Sequence, residues 1–152
     1  MLSHRMDTAN LSESDVIEKK IQDKWEMVFT RYVSKGDSIC LTFWDDFTKT
    51  TPRLDVLGNF AVENTVNSFN QNVMKLPATN EVRDIIIDGA FTFSQVLISY
   101  FHLDIRTSEN RRIFSSEDNG TVVLLDISED DHFFLNKNSI AESLSRLEKP
   151  TD

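Results

Sequence analysis

The sequence predicts an α+β domain in which a curved antiparallel sheet wraps round N-terminal helices to form a cone-like body, closed by a short C-terminal helix. Three observations predict it. Ile17, Ile21, Trp25, Val28 and Tyr32 recur at the spacing of one helix face. After Pro77 the apolar period shortens toward the two-residue repeat of a strand, beginning with the β-branched run Val82 to Ile87. Asp88-Gly89 and Asn119-Gly120 are dipeptides suited to hairpin turns. Helices that segregate from an antiparallel sheet define the α+β class.

The elements are expected in this order. Residues 1–11 read as a flexible tail, and residues 12–149 as a single domain, with 150–152 as a second tail. Ser12 and Asp15 suit the start of the first helix, and Gly36 after Lys35 suits its end. A second helix is expected from Asp37 or Ser38, with Ile39, Phe43 and Phe47 on one side. Pro52 breaks it, and Arg53 to Leu57 is expected as a short strand. Val62, Val66, Phe69 and Val73 predict a third helix over Phe60 to Met74, its polar face formed by Asn64, Asn67, Asn70 and Gln71. The predicted strands are Val82 to Ile87, a long bent strand from Ala90 to Leu103, Arg106 to Phe114, and Thr121 to Ser128. Phe133, Phe134 and Leu135 continue the last of these. Ser139 and Glu142 predict a capping box for a terminal helix through Leu147, and Pro150 ends it.

Composition limits the function. The chain has 152 residues, enough for one core, and 25 Asp and Glu against 16 Lys and Arg give a formal net charge of −9. That balance disfavours direct nucleic-acid binding and anionic membrane surfaces. No apolar run approaches the roughly 20 residues that span a bilayer. With one cysteine, Cys40, no internal disulfide forms, so an intracellular location in cytoplasm or nucleus is expected. Three scattered histidines and that cysteine do not make a zinc ligand set, so no metal is expected. The four glycines form no phosphate loop, and no cofactor is expected.

Four stretches carry a family resemblance: the helix ending in Phe29 to Asp37 with the Leu41 to Phe47 segment after it; Leu57-Gly58 before an amphipathic helix; Lys75 to Pro77 leading into Glu81 to Arg83; and Asp131 to Leu135. In that order they resemble the cone-shaped superfamily of nuclear transport factor two, ketosteroid isomerase and the SnoaL-like cyclases, over roughly residues 16 to 135. The resemblance implies a cystatin-type α+β barrel. It implies one of two roles, because such a fold hosts both.

The first role is a non-catalytic adaptor, similar to transport factor two and the small mRNA-export cofactors, forming a homodimer or heterodimer through its sheet face. Phe91, Phe93, Val96, Ile98, Tyr100 and Phe133 are the expected partner-binding residues, because a strand apolar on both faces needs cover on both. The second role is a cofactor-independent isomerase, cyclase or hydrolase holding a small apolar ligand in the cone. Tyr32 then matches the family's oxyanion tyrosine. The position of the family's base, before Pro52, holds Thr51, and no acid aligns with the second donor near Asn110 to Arg112. Asp45 on the short second helix, and His102 two residues before Asp104 in a strand, are the remaining acid–base candidates. The adaptor is the favoured expectation.

Overall fold

The structure, a computed structural model, describes residues 1–6, 19–45, 51–93, 96–138, 140 and 144–151. Among them are eight strands, β1 (Leu2–Met6), β2 (Ser38–Phe43), β3 (Glu63–Val66), β4 (Asn72–Pro77), β5 (His102–Arg106), β6 (Arg112–Glu117), β7 (Val122–Leu125) and β8 (Leu144–Thr151). Four helices accompany them, α1 (Lys19–Lys35), α2 (Leu54–Leu57), α3 (Asn80–Ala90) and α4 (Glu129–Lys137). The strands form one sheet in the order β3-β4-β2-β5-β6-β7-β1-β8, and all neighbours are antiparallel. The α+β class and the antiparallel sheet are as the sequence predicts.

The first helix forms for the reason its spacing gives. Trp25, Val28, Phe29, Tyr32 and Val33 are buried on one face. It ends where Gly36 passes so close to Ile105 that a Cβ would collide with that side chain. The Trp25 and Phe29 rings and the Tyr32 ring each lie within 6 Å of the Phe114 ring on β6. This aromatic cluster fills the space between sheet and helix. Ile39, Leu41, Leu76, Leu103, Ile105, Val123 and Leu125 extend the same face of the sheet, and Val82, Ile86 and Leu135 pack on it from α3 and α4.

Several expected elements differ. Residues 38–43 are a strand, because Ile39, Leu41 and Phe43 alternate with Ser38, Cys40 and Thr42; Ile39 and Phe43 fit both periods. Arg53 to Leu57 contains the short helix α2 instead of a strand. The expected third helix is the β3–β4 hairpin. The Asn67 side-chain oxygen accepts from the backbone N–H groups of Phe69 and Gln71, and Asn70 adopts a φ of 59°, so these asparagines build a turn. Val82 to Ile87 lies in α3, where Thr79 caps the helix by accepting from Val82 N. Asp88-Gly89 is inside that helix and not in a hairpin.

Of the expected long strand from Ala90 to Leu103, Ala90 ends α3, the described residues from Phe91 to Phe101 belong to no strand, and Ser94 and Gln95 lie outside the described residues; the next expected strand straddles the turn Thr107 to Arg111. Asn119-Gly120 does turn the chain between β6 and β7, with both residues at positive φ. Phe133 to Leu135 lies in α4, not in a strand. The expected C-terminal helix is strand β8, and the expected N-terminal tail contributes β1. Ser12, Asp15, Ile17, Phe47, Ser139 and Glu142, along with residues 7–11 of the tail, lie outside the described residues.

Candidate functional site

The helices and the aromatic cluster occupy one face of the sheet. The other face presents Ser38, Cys40 and Thr42 from β2, Lys75 from β4, His102, Asp104 and Arg106 from β5, and Ser115 from β6. Register brings Cys40 and Ser115 opposite Asp104 on its two neighbouring strands. His102 Nε2 lies 3.3 Å from Asp104 Oδ1, since side chains two apart along a strand share a face.

The charges on this face explain the titration of its groups. Burial lowers the His102 pKa, but the hydrogen bond and charge of Asp104 outweigh it and hold the imidazole above its ordinary value. Burial raises the Asp104 carboxyl, but the His102 bond and charge, the Ser115 hydroxyl and the Arg112 charge together outweigh it, so Asp104 titrates below its ordinary value. Burial, then the Asp104 charge, pushes the Cys40 thiol up, which keeps it protonated and a poor nucleophile.

The sequence-derived acid–base candidates fall in three places. Tyr32 is fully buried behind the sheet, and its hydroxyl donates to Asp126 O at 2.8 Å. Burial, followed by the Asp131 and Asp126 charges, raises its pKa far beyond the phenol range. Asp45 is exposed just past β2, where its carboxylate accepts from Asn72 Nδ2. His102 is on the opposite face of the sheet from Tyr32. The structure joins His102 to Asp104, a pair that the spacing foresaw, and sets Tyr32 apart from both. Among the described residues no group of three or more His, Cys, Asp or Glu is placed to hold a metal ion.

The expected partner-binding residues do not form one sheet face. Ile98 and Tyr100 are core residues in the irregular segment before β5. Phe91 packs edge-on against Phe29 at 5.8 Å. Phe93 is exposed and Val96 half-buried. Phe133 is exposed on α4, away from the other five in sequence and element.

On the helical side, α1 and α4 flank an open groove of about 810 Å³ lined in part by Met27, Arg31, Lys35, Asp130 and Phe134. Two of its lining residues are tied to Asp131, which is fully buried and accepts from Arg31 Nε at 2.8 Å and Lys35 Nζ at 2.6 Å. The same carboxylate closes a capping box with Ser128 at the start of α4. Arg31 also stacks over the Phe134 ring at 4.5 Å.

The sheet's β3 edge is the surface that sequence reading missed. Every residue of β3 is exposed. Val62 is 66%, Val66 64% and Phe69 72% exposed on or beside this hairpin. Edge strands are commonly blunted by Lys, Arg or Pro. The other edge, β8, contains Arg146, Lys149 and Pro150, whereas β3 has the single charge of Glu63 and none of those residues. The signal in the sequence was Val62-Glu-Asn-Thr-Val66, a strand-length run before the Asn67 turn.

No protein-family model matches the chain, and neither a curated protein nor a solved structure matches it. No helix among the described residues is long and apolar enough to cross a membrane.

Proposed function

We propose that the chain is a non-catalytic binding domain that takes up its partner along the free edge of β3. The observation that carries this reading is the β3–β4 hairpin: among the described residues no strand pairs with the outer edge of β3, and Val62, Val66 and Phe69 are exposed beside it. Such an edge accepts an added strand: backbone hydrogen bonds supply affinity and the apolar side chains supply selectivity. The filled interior supports binding over an isomerase or cyclase role, because Trp25, Phe29, Tyr32 and Phe114 pack together in the core between α1 and β6.

The reading keeps the expectation of an adaptor that associates through its sheet, but moves the contact from the face to the edge. It stands on the edge strand and does not draw on the resemblance to the transport-factor superfamily. The test is recovery of the wild-type chain and of a Val66→Lys, Phe69→Ser variant from the source cell, each followed by native mass determination. Both substituted side chains are exposed, so the fold should survive. Loss of a discrete complex in the variant is expected; a complex of unchanged mass and yield would refute the reading.

A further inference from the structure

We infer that the groove between α1 and α4 is a second docking surface, and that its occupant is a basic amphipathic helix of a partner protein. The inference stands apart from the β3 edge and uses none of the residues there.

The walls settle the form of the occupant. Both are helices, whose backbone groups are bonded within themselves except at the ends. An extended segment laid in the groove would find no row of backbone partners on either side, and its own N–H and C=O groups would lose water without compensation. A helix keeps its backbone bonds internal and presents only side chains, which two helical walls can receive. From Asp23 to Lys35 the groove follows α1 for about 18 Å, some three turns of a helix lying alongside.

The charges settle its sign. Five charged side chains line the groove, Asp23, Glu26, Arg31, Lys35 and Asp130. Arg31 and Lys35 are both committed to the buried Asp131 carboxylate. Asp23, Glu26 and Asp130 take part in no ion pair among the described residues. The charge left for a partner is therefore negative, although two cations stand in the lining.

The order along the groove settles the pattern. Asp23 and Glu26 belong to the N-terminal half of α1. Asp130 belongs to the other end, since its neighbour Asp131 is bonded to Arg31 and Lys35. Apolar surface lies between: Phe134 beneath the Arg31 guanidinium, and Met27 one turn before Arg31 on α1. Met27 is exposed, as is Phe133 beside Phe134, and a methionine adapts its shape to the side chain it receives. The matching helix has an apolar stripe at its middle and Lys or Arg toward both ends.

The test is fluorescence anisotropy of the full chain with a labelled alanine-based peptide, leucines on one face at its middle and lysines toward both ends. One control peptide scrambles the leucine stripe at constant composition, and another replaces lysine by glutamate. The basic amphipathic peptide should bind more tightly than either. Asp23→Lys with Glu26→Lys should weaken it roughly 3- to 30-fold. Asp84→Lys with Glu109→Lys, both exposed and outside the groove, alters the net charge equally and should weaken it less than about 3-fold. Met27→Asp should weaken binding even though it makes the groove more acidic. Circular dichroism checks that each variant keeps its fold. Absence of binding at millimolar peptide overturns the inference. So does an equal loss in the two double variants, which is attraction to an acidic chain as a whole, or a scrambled peptide that binds as tightly. Binding lost in the Val66→Lys, Phe69→Ser variant but kept in the Asp23→Lys, Glu26→Lys variant would place the peptide on the β3 edge, overturning this inference and leaving the edge-binding reading in place.

Discussion

Protonation of Asp131 should detach α4 from α1. The carboxylate is fully buried, and it accepts bonds from Lys35, Arg31 and Ser128. Burial alone would raise its pKa, but the bonds to Lys35, the Ser128 backbone and Arg31 overcome that and bring it from 3.8 to about 2. A carboxyl with a depressed folded-state pKa contributes stability that is present above its unfolded value and lost as pH falls through the folded one. A fall of just under two pH units corresponds to about 2.5 kcal/mol at neutral pH, reduced to about half near pH 3 and nearly gone near pH 2. The Arg31 and Lys35 side chains are 27% and 34% exposed, so water screens them and about 1–2.5 kcal/mol is the expected range. Asp131→Asn keeps the shape and removes the charge. Urea unfolding of both proteins between pH 7 and pH 2 measures the effect: the gap should be widest at neutral pH and close on acidification. Parallel stability curves across that interval would refute the reasoning, since they would mean that the Asp131 charge adds nothing to folding.

Three further outcomes are expected. Tyr32→Phe should lower stability by about 0.5–1.5 kcal/mol, read from denaturant midpoints, because the buried hydroxyl bonded to Asp126 O is lost; a change within error would show that bond to be dispensable. Gly89→Ala should destabilise by about 1–3 kcal/mol although alanine favours helices, because the new Cβ would overlap the Tyr100 hydroxyl and lie 3.1 Å from Pro52; a raised melting temperature would contradict this. His102 should titrate by NMR above its ordinary value of 6.5, and Asp104→Asn should bring the midpoint down. Because that pKa is raised on folding, the stability it contributes is full below pH 6.5 and lost as pH rises through the folded value. An unshifted His102 in the wild type would remove the ion pair from the account.

What was legible in the sequence followed from signals that only one structure satisfies. Trp25, Val28 and Tyr32 at helical spacing, ended by Gly36, have no strand reading, and α1 buries all three on one face. Asn119-Gly120 needs positive φ at both residues and turns the chain as expected. The misread elements carried two signals. Ile39 and Phe43 fit strand and helix alike, and only burial of Leu41 between them decides. Val82 to Ile87 has strand-forming residues, yet the Thr79 cap and burial at Val82 and Ile86 make it a helix. Ser128 and Asp131 are a capping-box signature in plain sight, obscured because Phe133 to Leu135 just after them also suit a continuation of the preceding strand. The His102–Asp104 pair was legible from strand periodicity alone. The bare β3 edge was not, because an edge is a property of sheet order, and sheet order depends on contacts distant in sequence.

The placement of β1 has a consequence for biosynthesis. Of the described strands this one leaves the ribosome before the rest, yet its hydrogen-bonding partners are β7 and β8, the last two of them to be made. Until β7 emerges, Leu2 and Met6, both buried in the finished protein, have no place to go. The opposite end of the sheet has no such delay: β2, β4 and β3 are all complete before α3 is made. The sheet is therefore expected to grow from the β3 side toward β1 during translation, with β8 docking last against a strand that has waited while β2 to β7 were made. A bulky fusion ahead of Leu2 would burden that final step more than the early ones.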